Sequence, residues 1–379
     1  MSTYQAIVLS GGGSKGSFGL GALLAIEKFH QERNKQITSV YCGTSVGALN
    51  AAMAAQGDLS GLNELYMKLR TKDILGTTDS EVRRIRLAFS ARRKPYHYFK
   101  SDALRATVTK YVKFDRLSDA HLLVCVTNFI TGRLETFYRS SIVDAYLKKE
   151  ETIEQSHRRL HDYHPIESQE DLVQVLVAST AIPFYFPPVE IRGAKFVDGG
   201  VGNNTPLRQA AYVSRYLHSQ GEFVLPTICV INDPQRFSIE QDAEIDIFGV
   251  VRRSLDIFHN ELVQDSLTTW ERINANLRKA NEREMLVASI LEDLPANIRE
   301  TIKERVSQAL RDEIGVAAKM ELPLYQIRPS NPLTNDVMRF EPETAKRLKR
   351  QGIEDCFKML VAKASITQGD YARWVEEIS

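Results

Sequence analysis

Gly43-Thr44-Ser45-Val46-Gly47 is the stretch from which this chain is read. It spells G-x-S-x-G. Before it, Ser39-Val40-Tyr41-Cys42 is short, apolar and partly β-branched, as the end of a buried strand is. After it, Ala48 to Ala55 is built mostly from strong helix formers. A serine between glycines at a strand-to-helix corner is a nucleophile elbow. The glycines leave room for a strained turn that lifts the hydroxyl above the sheet. The helix that starts there points its free N–H groups and positive dipole end at the reacting oxygen. A lone G-x-S-x-G is also what a turn of small residues looks like, so the flanking sequence has to decide.

Upstream, Tyr4 to Leu9 is a β-type run, the expected first strand. Ser10-Gly11-Gly12-Gly13-Ser14-Lys15-Gly16 follows, and Phe18, Leu20, Leu23, Leu24, Ile26 and Phe29 then recur with helical periodicity, predicting a helix from Ser17 to Gln31. Strand, glycine loop, helix is an anion-binding design. A Walker loop fails because Gly16 is followed by Ser17 and not lysine. Gly11, Gly13 and Gly16 satisfy G-x-G-x-x-G, but a dinucleotide site needs an acidic residue at the end of strand two, where this chain has Cys42-Gly43. The third reading is an oxyanion hole in which the N–H groups of Gly12 and Gly13 face a carbonyl oxygen attacked by Ser45. Lys15 either adds positive charge there or caps the loop. If the first two strands are parallel neighbours, both loops emerge at one carboxyl edge, where ligands bind in such sheets.

Downstream, Leu59 to Lys72 reads as a helix. His121 to Asn128 and Arg133 to Tyr138 read as a hairpin around Ile130-Thr131-Gly132. His157, His161 and His164 sit in charged sequence, and no acidic or cysteine partner gives them a recognised metal pattern. Asp171 to Ala181 is an expected helix, and Phe184 to Pro188 suits core packing and an acyl groove equally well. Val189-Glu190-Ile191 and Lys195-Phe196-Val197 pair across Arg192-Gly193, delivering Asp198-Gly199-Gly200; Thr205 and Pro206 then resemble N-cap and N1 of a helix. By itself D-G-G is a turn.

As an ordered set, the Gly11 to Gly16 loop, the Gly43 to Gly47 elbow and Asp198-Gly199-Gly200 resemble the patatin-like phospholipases. Ala178 to Pro183, Phe186 to Val189 and Asn204-x-Pro206 add to the resemblance, which covers about residues 5 to 210. It implies a three-layer α/β/α fold with a mainly parallel central sheet, in a protein of bacterial source. It also implies a phospholipase A-type acyl hydrolase working through a Ser–Asp dyad. Ser45 would be the nucleophile, framed by Gly43, Thr44, Val46 and Gly47, and Asp198 the base, with Gly199 and Gly200 beside it. Gly11, Gly12, Gly13, Ser14, Lys15 and Gly16 would form the oxyanion hole. No cofactor and no metal are implied. An ordinary aspartate is a weak base, so Asp198 needs desolvation to raise its pKa. A Ser-His-Asp triad using His218 or His259 is the competing arrangement. It is disfavoured because the elbow follows strand two, whereas the α/β-hydrolase design has its oxyanion loop after strand three.

The composition is that of an ordinary globular protein, with a net charge of +1 that draws it neither to nucleic acid nor to membranes as a whole. Cys42, Cys125, Cys229 and Cys356 are scattered, reading as buried thiols in a reducing compartment. No signal peptide or spanning segment is recognised, so a cytoplasmic protein is expected, with peripheral contact to the inner membrane surface. Residues 1–235 read as the catalytic core. Residues 236–379 read as a mainly helical extension packed on it, with a late sheet strand near 322–328. Arg83, Arg84, Arg86, Arg92, Arg93 and Lys94 are interleaved with apolar and aromatic residues. This segment reads first as a solvated helix face, then as a docking patch for anionic membrane, then as an anion site. The expected partner is a phospholipid or other acyl lipid, with a homo-oligomer or a small-molecule activator as further candidates and no nucleic acid. The alternative function is a silent, or nucleotide- or lipid-regulated, membrane-sensing module on the same fold, such as a defence effector.

Overall fold

Ile7 and Leu9 point to one side of the first strand and Ala6 and Val8 to the other, and all are buried. A strand apolar on both faces needs helices above and below it. The computed structural model supplies them, describing residues 2–33, 36–77, 99–151, 162–234, 247–291, 298–302, 304–305, 320–334, 336–363 and 365–378.

The chain begins β1 (Thr3–Leu9), α1 (Gly16–Glu32), β2 (Ile37–Thr44), α2 (Val46–Ala55), α3 (Leu59–Lys68), α4 (Thr71–Leu75) and α5 (Asp102–Tyr111). It continues β3 (Leu122–Asn128), β4 (Leu134–Arg139), α6 (Ser141–Glu151), β5 (Tyr163–Pro165), α7 (Gln169–Ser179), β6 (Val189–Ile191), β7 (Ala194–Asp198) and α8 (Leu207–Ser219). The last elements are β8 (Phe223–Val224), β9 (Thr227–Val230), α9 (Ile247–Ile290), β10 (Leu324–Ile327), α10 (Pro342–Ala362) and α11 (Gln368–Ile378). The sheet order is β10-β9-β1-β2-β3-β4-β5. Its pairs are parallel from β10 to β3 and again between β4 and β5; β4 and β7 run antiparallel to β3. Residues of α1, α2, α7 and α10 form the core on one face, and residues of α6, α8 and α9 that on the other. The result is a three-layer α/β/α fold with a mainly parallel sheet.

Several expected elements differ in detail. The helix foreseen over Leu59 to Lys72 breaks in two, because Leu69 and Arg70 are extended before α4 restarts. Thr205 does not cap α8 with its side chain. Its N–H is taken by Asn203 Oδ1 at 2.9 Å, and the helix begins at Leu207. The late strand pairs β9 in parallel as β10. Past it, α10 lies so close on α1 that a Cβ on Gly21 would strike the carbonyl of Lys349, and one on Gly352 the carbonyl of Phe18. The basic residues Arg83, Arg84, Arg86, Arg92, Arg93 and Lys94, with His157 and His161, lie outside the described residues.

Candidate active site

The site is built where β2 leaves the sheet. β2 pairs β3 up to Thr44 opposite Cys125, then turns into α2 at Ser45. The vacated edge of β3 is taken by β7, running antiparallel, with Asp198 opposite Val126. The two strands meet head to head on one edge, so the residue after β2 and the last residue of β7 arrive side by side. Glycine is required at the junction: a Cβ on Gly199 would collide with the carbonyl of Cys125.

Ser45 is held at φ 56 and ψ −131, a region that side-chain-bearing residues rarely adopt. A Cβ on Gly43 would meet backbone of Gly47 and Ala48, and one on Gly47 the carbonyls of Leu9 and Ser10, so the elbow is tight on both sides. The N–H of Ser45 donates to Ser179 Oγ at 3.0 Å, and that hydroxyl donates to the carbonyl of Cys125 at 2.7 Å. Ser179 thus ties the elbow to β3.

Asp198 is buried, with Oδ1 accepting from Gly200 N–H at 2.7 Å. Oδ2 is buried with no formed hydrogen bond. Burial pushes its pKa up to about 7; the Ser45 hydroxyl and the Gly200 N–H pull the other way.

The glycine loop arches over the same place. Gly11 N–H is engaged by Asn204, through Oδ1 at 3.1 Å and the carbonyl at 3.3 Å, and Ser14 N–H by the carbonyl of Val337 at 2.7 Å. Asn232 Nδ2 holds the carbonyls of Ser10 and Gly11 at 2.9 and 3.2 Å. Gly12 and Gly13 line a small polar cavity with Ser45 and Asp198. Lys15, left open by the sequence, is buried and ion-paired with Asp233 at 2.5 Å, so its charge is neutralised beneath the loop.

A second, apolar cleft opens from Ser45, walled by Leu49 and Met53 of α2, Leu62 of α3, Leu104 and Val108 of α5, and Phe186. It holds about 740 Å³ of space free of protein atoms, part of it open to solvent. Phe186 therefore lines this cleft, and Tyr185 lines the polar cavity.

Sequence reasoning named His259 of α9 only in the disfavoured triad and missed Asp256. Asp256 and His259 line the polar cavity, and His259 Nε2 lies 3.2 Å from where a Cβ on Gly200 would stand. Burial lowers the pKa of His259, Asp233 opposes that and the Lys15 charge adds to it. Only the tertiary fold brings α9 here, and no local pattern announced it. His218 is exposed in the last turn of α8, away from this cavity. His164 pairs with Glu135 at 2.8 Å. Among the described residues no cluster of His, Cys, Asp and Glu is arranged to hold a metal ion, and no helix is long and apolar enough to cross a membrane.

Comparison with known proteins gives one family. The family model described as patatin-like phospholipase matches residues 7–211. None of the curated proteins matches. Among solved structures, the crystal structure of VipD from Legionella pneumophila is similar at 15% identity over 94% of this chain and 67% of that chain, with a TM-score of 0.37.

Proposed function

The chain belongs to the patatin-like phospholipase family, and from that premise we propose that it hydrolyses acyl esters of phospholipids or related lipids through an acyl-Ser45 intermediate. The observation that carries the proposal is the position of Ser45. It lies at the meeting of an apolar cleft fit for an acyl chain and a polar cavity holding the unpartnered Oδ2 of Asp198.

In this reading the acyl chain lies in the cleft and the ester carbonyl carbon rests against Ser45 Oγ. Asp198 Oδ2 takes the hydroxyl proton as Oγ attacks, and the carbonyl π pair moves onto oxygen. The N–H groups of Gly12 and Gly13 receive that oxyanion, each such donor being worth roughly 2.7–4 kcal/mol in the transition state. The bond to the leaving alcohol then breaks, and Asp198 returns its proton to the alcohol oxygen. Water repeats the sequence on the acyl-serine, releasing the fatty acid and restoring Ser45. A base titrating near 7 is partly ionised at neutral pH and strong enough to accept the proton in flight. Metals and cofactors have no part in this scheme.

Labelling with a fluorophosphonate probe tests it. Wild type should label on Ser45 and hydrolyse a short-chain ester, and Ser45→Ala should do neither. Equal labelling of the two proteins would overturn the assignment.

A further inference from the structure

Between α8 and α9, on the sheet face opposite α1, lies another cavity, of about 1250 Å³ with part of it open to solvent. It shares no lining residue with the Ser45 cavity or the apolar cleft. Arg208, Tyr212 and Arg215 face it from α8, spaced four and three residues apart and so on one side of the helix. Trp270 faces them from α9, its indole fixed by donating Nε1–H to the carbonyl of Leu322 at 2.8 Å.

The two arginines stand out by what they lack. Arg215 Nε is buried with no hydrogen-bond partner. Among the described residues neither Arg208 nor Arg215 has a carboxylate within ion-pair distance, although Asp265 lines the same cavity. Elsewhere in the protein a comparable guanidinium is satisfied: Arg192 reaches both Glu167 and Asp171. A buried guanidinium N–H without an acceptor is unfavourable unless a ligand supplies one. Arg215 presents such a group to the cavity, and Arg208, exposed and without a carboxylate partner among the described residues, adds a second positive charge at its mouth.

We propose that this cavity binds a phosphate-bearing organic anion. The phosphate lies on the Arg208 and Arg215 guanidiniums, and its apolar or aromatic body lies against Tyr212 and Trp270. A phosphate has enough oxygens to accept both planar forks at once, which is why arginine pairs select it. The aromatic walls add contact area and prefer a flat or hydrocarbon body. The site stands whether or not Ser45 acts as a nucleophile.

The test uses the full chain carrying Ser45→Ala, so that no probe is consumed. Calorimetric titration with phenyl phosphate, inorganic phosphate and phenol should show one-to-one binding, strongest for phenyl phosphate and weakest for phenol. Arg215→Gln, and Arg208→Gln with Arg215→Gln, should weaken phenyl phosphate at least about tenfold, the loss expected for a charge-assisted hydrogen bond. Thr269→Trp narrows the cavity while leaving both arginines, so it should also lose phenyl phosphate; circular dichroism verifies that each variant folds. A parallel arm measures binding to phosphatidic acid vesicles against phosphatidylcholine vesicles. Arg215-dependent binding to vesicles alone makes a lipid headgroup the source of the phosphate, and binding of the soluble probe alone makes it a free metabolite. Absence of Arg215-dependent binding of either probe, or phenyl phosphate binding that survives both the arginine and the Thr269→Trp changes, overturns the proposal.

Discussion

As the base of the proposed dyad, Asp198 would concentrate the chemistry and its cost in one side chain. Its carboxyl pKa is raised by burial to about 7, and the base must be ionised to work. Turnover on a soluble ester should therefore rise with pH through about 7 and level off above it. Asp198→Asn should abolish turnover at every pH. The same shift has a stability consequence of definite sign. A carboxyl that holds its proton more tightly folded than unfolded favours the folded state below the unfolded value of 3.8, and that contribution is lost as pH rises through about 7. Asp198→Asn should thus be more stable than wild type at pH 8, by up to of order 4 kcal/mol, with the gap closing towards pH 4. Thermal melts at several pH values read this directly. His259 gives the control. It lines the cavity yet is pushed towards neutrality by burial, and the dyad reading needs no proton from it. His259→Ala should keep turnover within about tenfold of wild type; a loss beyond about 10³-fold with the fold intact would favour a triad.

At the scale of elements, the glycine loop is shaped by residues far from it in sequence. Asn204 grips Gly11 and Asn232 grips Ser10 and Gly11, while Val337 takes Ser14 N–H. Asn204 acts as a positioning residue for the proposed oxyanion donors. Asn204→Ala should lower kcat by about 10–100-fold and leave KM much less changed, because the misplaced donors matter most in the transition state. An equal rise in KM with unaltered kcat would show that the loop serves ground-state binding instead. Gly13→Ala is a poorer probe, since its Cβ would run into the carbonyl of Val337 at a φ of 55. The walls of the cleft come from α2, α3 and α5. Val108→Trp should shorten the space available to an acyl chain. Long-chain esters should lose at least about tenfold in kcat/KM relative to short ones, in line with 1–3 kcal/mol for mismatched hydrophobic pocket contacts. Unaltered chain-length preference would place the acyl group elsewhere.

At the scale of the whole molecule, the last helices are built into the core on the side of α1, the helix that follows the glycine loop. Leu348, Ile353, Phe357 and Leu360 of α10 and Trp374 of α11 share one buried cluster with Phe18, Ala22 and Ile26 of α1. Backbone-to-backbone contact at Gly21 and Gly352 sets that spacing. Gly352→Leu should force the helices apart and cost about 2–3 kcal/mol, as overpacking does, which a urea melt would reveal. Activity should fall with it, since displacing α1 displaces the loop at its start. A variant with wild-type stability would show that α10 is docked more loosely than its packing indicates.

The sequence by itself determined the order of strand, glycine loop, helix and elbow. Those features are local: apolar periodicity, glycines at turns and a serine at a corner follow from residues within a few positions of each other. It also marked Ser45, Asp198 and the Gly11 to Gly16 loop as candidates, through motifs that match a family now recognised over residues 7–211. The tertiary structure alone decided how they meet. That β7 takes over the edge of β3 where β2 leaves it is a fact of pairing between segments 68 to 81 residues apart. The burial that lifts Asp198, the pairing of Lys15 with Asp233, and the arrival of His259 from α9 are likewise products of packing. No local pattern encodes them, because a side chain's solvation and charge partners are set by whatever the fold brings against it.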